Sequence, residues 1–153
     1  MRREDREITD CLEIESILYN AVICRIGLAV EDEPYIIPLS FGYEDKVIYL
    51  HSALEGKKIS MLKENPRCCF EVDQCDNIVR GERPCAWGMR YRSVIGFGRA
   101  CFVEDCEEKK KGLSCIMRHY SDETYRFSDE DIRNVCVIRI DIDSMTGKKT
   151  MEG

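Results

Sequence analysis

The sequence predicts a small barrel of antiparallel β-strands with helices packed on its outside, an α+β domain in which six strands close on themselves. Three observations point there. Short, branched, apolar segments recur along the chain, and helical patterns fall between them at uneven intervals. Two neighbouring strands are joined by the tight polar turn Glu44-Asp45, a connection open only to an antiparallel pair. A regular strand–helix–strand alternation, the mark of a parallel sheet, is missing. At 153 residues a single domain is expected, with enough chain to bury a core.

From the N-terminus, a first helix is expected to start at Thr9 or Asp10, with Asp10 and Glu13 spaced as a capping box. Ile14, Ile17, Leu18 and Ala21 then share one helical face. Val22 to Val30 reads as a strand, Glu31 to Glu33 as a turn, and Pro34 to Tyr43 as a second strand. Pro38 places that strand at an edge or a bulge, because proline cannot donate to the ladder. Lys46 to His51 is the third strand. A short helix follows Gly56 and ends at Asn65-Pro66. Arg67 to Asp73 is the fourth strand, and residues 75 to 88 read as a polar loop. Tyr91 to Val103 is a long fifth strand. Glu107 to Tyr120 is a helix, Ser128 with Asp131 caps a short turn, and Val135 to Asp141 is the sixth strand. The tail DSMTGKKTMEG is polar and expected to be loose.

Composition excludes several classes. An apolar fraction of 44% with 34% charged residues suits a soluble globular protein. No apolar run approaches the roughly 20 residues that span a bilayer. MRREDREITD has no apolar h-region, so no signal peptide is expected and the cytoplasm is the expected compartment. A net charge of −6 argues against nucleic acid as a partner. Ten cysteines without any C-x-x-C, most of them inside apolar runs such as RCCFEV and RACFV, read as small hydrophobes. No metal site is expected, since Cys115 and His119 lack a second pair.

The segment KVIYLHSALEGKKISMLKENP carries the most chemistry. An apolar strand ending at Leu50 runs into His51 and Ser52, and Gly56 opens a helix that starts with Lys57 and Lys58. Free N–H groups and the helix dipole favour an anion at such an end. Two cations there make physical sense around a phosphate; the competing reading is a solvated lysine pair. Between residues 80 and 99, Arg80, Arg83, Arg90, Arg92 and Arg99 face only Glu82, which suits a small anionic ligand. Those arginines pairing with acids elsewhere is the alternative. Trp87 and Tyr91 lie beside Arg90 and could line a substrate pocket by stacking, or could be core or interface aromatics.

Five segments together, PYIIPLSFGY, IYLHSALEGKKISMLKENP, RCCFEVD, WGMRYRSVIGFGRA and IDIDSMTGK, run from residue 34 to residue 147. In order and spacing they resemble the pyridoxamine 5′-phosphate oxidase-like superfamily of FMN-binding split barrels, in particular its nitroimidazole-resistance (Nim-like) branch. The resemblance implies a six-stranded split barrel that forms a homodimer, with FMN at the subunit interface; FAD stays open as the other flavin. It implies Pro38, Leu39 and Phe41 beside the isoalloxazine. Leu50, His51, Ser52, Gly56, Lys57 and Lys58 would hold the flavin and its phosphate, and Arg92 and Ser93 would add polar contacts. His51 is then the candidate catalytic residue, a side chain suited to moving a proton. The vitamin B6 oxidases carry an arginine-rich C-terminal segment where this sequence reads TGKKTMEG, so their reaction is not expected.

The function expected is that of an FMN-dependent oxidoreductase acting on a small acceptor such as a nitro-heteroaromatic. The alternatives are a flavin-binding storage or sensor protein without turnover, and a haem-binding split barrel.

Overall fold

In the computed structural model, which describes residues 4–150, all of the strands pair antiparallel in one sheet. The strands are β1 (Glu7–Ile8), β2 (Cys24–Val30), β3 (Glu33–Leu39), β4 (Phe41–Glu44), β5 (Val47–Ser52), β6 (Arg67–Val79), β7 (Gly88–Val103) and β8 (Cys136–Lys149). The helices are α1 (Cys11–Asn20), α2 (Lys57–Glu64), α3 (Cys106–Tyr120) and α4 (Asp129–Arg133), with short 3₁₀ turns at Glu4–Arg6 and Pro84–Ala86. The sheet order is β3-β2-β6-β7-β8-β5-β4, and β1 pairs with β8. The two ends of that path, β3 and β4, are joined by Ser40 alone. One residue spans only a few ångströms. The sheet must therefore curl until its ends meet at Ser40, which makes it a split barrel closed at one corner.

The antiparallel barrel with outer helices is as expected, but the described residues form eight strands rather than six. The expected strand Pro34 to Tyr43 divides at Ser40, where the chain leaves one edge of the sheet for the other. Pro34 and Pro38 lie on the edge strand β3, where a missing N–H costs nothing to the ladder. Both tight turns use left-handed residues, Glu31 and Asp32 (φ 47 and 65°) and Asp45 and Lys46 (φ 50 and 63°), as two-residue hairpins require.

Two segments expected to be irregular lie partly in the sheet. The β6–β7 ladder runs past Cys75 to Val79 opposite Gly88, so the first part of the polar 75–88 segment is a ribbon, and residues 80–87 form the expected loop. The ribbon's residues are mostly exposed on both faces, which is why no alternation of apolar residues announces it. The tail is strand up to Lys149, because Gly147 is paired with Ile8 on one side and Val94 on the other. The remainder of the tail, 151–153, lies outside the described residues.

Helix α1 starts where expected, with the Asp10 carboxylate accepting the Leu12 N–H at 2.9 Å. Glu13 closes no capping box. It binds the Lys149 ammonium at 2.7 and 2.8 Å, tying α1 to the end of β8. The Ser128–Asp131 capping box of α4 forms as expected.

Strand β5 divides the interior. Ile48 and Leu50 join the main core with Phe41, Phe70, Val72, Val94 and the α1 residues Ile17 and Leu18. Tyr49 points the other way, into a smaller core with Val137 and the helix residues Leu113, Ile116 and Ile132. A strand buried on both faces reads as a continuous apolar run, which is what VIYL is. All ten cysteines are unpaired. Cys24, Cys68 and Cys115 are buried as small hydrophobes, and burial pushes the Cys68 thiol up to about 11. Cys101 is exposed, against the expectation from its apolar run, because β7 shows that face to solvent.

Candidate functional site

Ser40 brings two segments to the closed corner of the barrel, the end of β3 and the end of β5, while the start of α2 lies at the opposite end of β3. The Ser40 hydroxyl lies 3.1 Å from His51 Nε2 at the end of β5. At the other end of β3, Lys57 reaches across to the Glu33 carboxylate, and its ammonium lies 4.8 Å from the Tyr35 ring centroid. Strand β3 is thus flanked by α2 and by His51. Its alternation leaves Pro34, Ile36 and Pro38 exposed on the outer face.

The first turn of α2 is built to take an anion. Gly56 caps it with φ 127°, which other residues rarely adopt, and supplies no side-chain acceptor. No acidic residue lies in that turn, so its N–H groups keep no anionic partner from the helix itself. The two lysines there are not equivalent. Glu33 hydrogen-bonds Lys57, which raises the lysine pKa and lowers that of Glu33. Lys58 is half-buried, and among the described residues it forms no ion pair. Burial holds its ammonium below the usual lysine range, with the Cys136 thiol a smaller opposing influence. An unpaired, partly desolvated cation beside an uncapped helix start fits a phosphate.

A model of the pyridoxamine 5′-phosphate oxidase family matches residues 10–149. The chain belongs to that family. The barrel is similar to that of a candidate 5-nitroimidazole antibiotic resistance protein from Bacteroides thetaiotaomicron VPI-5482, with 40% identity, a TM-score of 0.84, and 94% of this chain and 86% of that one covered. It also shares its fold with the flavocytochrome Anf3 from Azotobacter vinelandii (20% identity, TM-score 0.86, 99% and 72% covered). The FAD and heme binding protein from Mycobacterium smegmatis is a further neighbour (17% identity, TM-score 0.85, 96% and 74% covered). Among curated proteins it matches the uncharacterized protein RA0666 from Rhizobium meliloti (strain 1021), 22% identical over 87 residues, 57% of this chain. That match spans half the length of the relative.

For this member of the pyridoxamine 5′-phosphate oxidase family, the corner brings Pro38 and Leu39 to His51 and Ser52, whereas Gly56, Lys57 and Lys58 start α2 at the Glu33 end of β3. Pro38 and His51 are exposed, while Leu39, Ser52 and Lys58 are half-buried. Two expected contacts are corrected. Phe41 is fully buried with its ring 4.3 Å from that of His119, and its N–H is taken by the Tyr120 hydroxyl at 3.0 Å. Leu50 is 1% exposed, between Phe41 and Ile138 in the sheet. Strand alternation turns both side chains into the main core, which leaves only their backbones to meet a ligand outside it.

Arg92 and Ser93 lie far along β7 from the C-terminal end of α2. The β6 strand starts just after α2, with Pro66 accepting the Ala100 N–H at 2.8 Å. From Ala100 to Arg92 along β7 is roughly 26 Å at ~3.3 Å per residue. Arg92 binds Asp76 at 3.0 Å, and its Nε is buried without a partner. Arg90, Tyr91 and Trp87 do come together, lining a groove of about 620 Å³ with Met89, Val79 and Arg6.

Ser40 and Glu33 escaped the sequence reading. Ser40 is the polar residue between PYIIPL and FGY, and a break in an apolar run is the signal that would have marked a strand junction. Glu33 lies in the acidic turn that hands β2 to β3, within reach of a helix start that no local pattern places there.

Proposed function

We propose that the protein is a homodimeric FMN-dependent oxidoreductase that passes electrons to a small nitro-heteroaromatic acceptor. The observation that carries this reading is the 40% identity, over 94% of the chain, with a candidate 5-nitroimidazole resistance protein. The uncapped start of α2 beside Lys58, and the orphaned Arg92 Nε, support a phosphate-bearing cofactor. When bound, the flavin supplies the redox chemistry. Gly56, Lys57 and Lys58 at the α2 N-terminus would hold its phosphate, Pro38 and Leu39 on β3 would meet its ring, and the apolar outer face would exclude water. His51, held by Ser40, is the group that moves a proton at Nε2 or Nδ1.

The dimer is part of the same reading. A row of paired residues crosses the outer face from Ile36 through Gly27 and Cys69 to Phe97. Ile36 and Phe97 are 69% and 54% exposed, which suits coverage by a second copy more than contact with water. A two-fold partner would also deliver Arg92 and Ser93 to a site that one chain leaves incomplete.

Absorption spectroscopy of the purified protein tests the cofactor: flavin bands are expected after incubation with FMN. A Soret band instead would support haem, and a protein that takes up neither overturns the reading. Anaerobic reduction followed by a 5-nitroimidazole should return the oxidised flavin spectrum. A reduced spectrum that persists would make the protein a flavin binder without this turnover. Sedimentation should give a dimer at micromolar concentration.

A further inference from the structure

Strand β5 alternates, with Ile48 and Leu50 in the main core and Tyr49 in the core under α3. His51 therefore lies on the α3 side. There it opens onto a groove of about 480 Å³ between α3 and the segment 125–135. This groove is separate from the Trp87 groove at the far end of β7, and its lining residues differ. Leu113, Met117 and Phe127 give it apolar walls, and its size is that of a small-molecule site.

Two charged groups line it, Arg126 and Asp131. The Asp131 carboxylate is committed to its helix cap, accepting the Ser128 N–H at 2.8 Å and the Ser128 hydroxyl at 2.7 Å. Arg126 forms no ion pair among the described residues. Asp131 keeps its charge, offset in part where it sits by the Ser128 N–H and the α4 N-terminus. The groove thus offers apolar walls, the unpaired Arg126 cation and a histidine that can donate or accept a hydrogen bond. That combination complements a planar apolar body bearing one negative charge.

We propose that this groove binds an aromatic carboxylate, with the ring between Met117 and Phe127 and the carboxylate on Arg126. The Ser40–His51 contact connects the groove to β3, so a molecule seated here reaches the flavin corner through His51. Binding in the groove stands by itself; its service as the acceptor site rests on the flavin reading above.

Benzoate is the probe, titrated into the isotope-labelled protein and followed by amide resonances, with benzyl alcohol as the uncharged control. Benzoate should move the resonances of Met117, Phe127 and His51 in a saturable way. Arg126→Gln, at an exposed position, should weaken benzoate by roughly fivefold and leave benzyl alcohol unchanged. Shifts confined to the Trp87 groove, no saturable shift at millimolar benzoate, or equal weakening of both probes would overturn the proposal. Flavin absorbance recorded on the same samples separates the two readings. Benzoate binding without FMN uptake would keep the groove and overturn the cofactor, and the converse would do the reverse.

Discussion

The two ends of this barrel solve different problems. At the closed corner, β3, β4, β5 and α3 converge near Ser40, and backbones approach closely. An added Cβ at Gly42 would lie 2.6 Å from the Cys115 carbonyl carbon and the Ile116 nitrogen of α3. At the open end, the β6–β7 ribbon from Cys75 to Met89 runs out of the core with Ile78, Trp87 and Met89 about half exposed. The corner is held by packing and carries His51, with Lys58 at the opposite end of β3. The ribbon end is held by ladder hydrogen bonds and carries Arg90, Arg92, Trp87 and Tyr91. The contrast teaches that rigidity and candidate ligand contacts are distributed unequally between the two ends.

The largest expected effect tests the rigidity half of that contrast. Gly42→Ala forces a methyl into the α3 backbone, which has no rotamer with which to retreat. It should cost about 3 kcal/mol, the upper part of the overpacking range. Thermal unfolding should show a drop of roughly 6–12 °C for a chain of this size. Trp87→Ala on the ribbon should stay within about 0.5 kcal/mol. Similar losses at the two positions would mean the ribbon is packed against something in solution.

The second test asks whether the two ends meet in one site. Lys58→Ala and Arg92→Ala should each weaken FMN by roughly tenfold to a hundredfold, as for a lost charge-assisted contact. Lys57→Ala should cost less than about fivefold, because Glu33 already pairs with that ammonium. If a two-fold partner supplies Arg92, a refolded equal mixture of the Lys58→Ala and Arg92→Ala chains should recover about a quarter of the tight sites. Each mixed dimer would contain one site with both native residues. No recovery would place both contacts in one chain, or remove Arg92 from the site.

The barrel was legible in the sequence because its strands alternate against a core, and because Glu44-Asp45 is a hairpin turn with its own local chemistry. The α2 start was legible for the same reason: Gly56, Lys57 and Lys58 are adjacent, and their helix ends at a proline. Ser40 as the join between the two sheet edges was not, since a strand that changes edge keeps the same residue preferences on both sides. The ribbon was missed because its pairing depends on backbone groups, which leave no side-chain period. The split between Lys57 and Lys58 was hidden because Glu33 is distant along the chain. Phe41 and Leu50 were assigned to the ligand by motif, whereas alternation from Ile48 already turned Leu50 inward.

The smallest expected effect separates packing from charge at the closed corner. Glu44, at the end of β4, binds Arg118 at 2.8 Å and Lys111 at 3.2 Å, both on α3. Partial burial raises its pKa, but the two cations outweigh that and hold the carboxyl below the ordinary glutamate range. A depressed folded pKa stabilises the fold fully above the unfolded value, near 4.5, and the contribution is lost as pH falls through the folded value. Glu44→Gln keeps the shape and removes the charge. At neutral pH it should cost about 0.5–1 kcal/mol in urea unfolding, within the range for partly exposed pairs. The gap between the variant and the native chain should close as pH falls below the folded pKa of Glu44. A gap that persists there would assign the loss to packing of the side chain, and would leave the α3 contact at Gly42 as the main fastening of the corner.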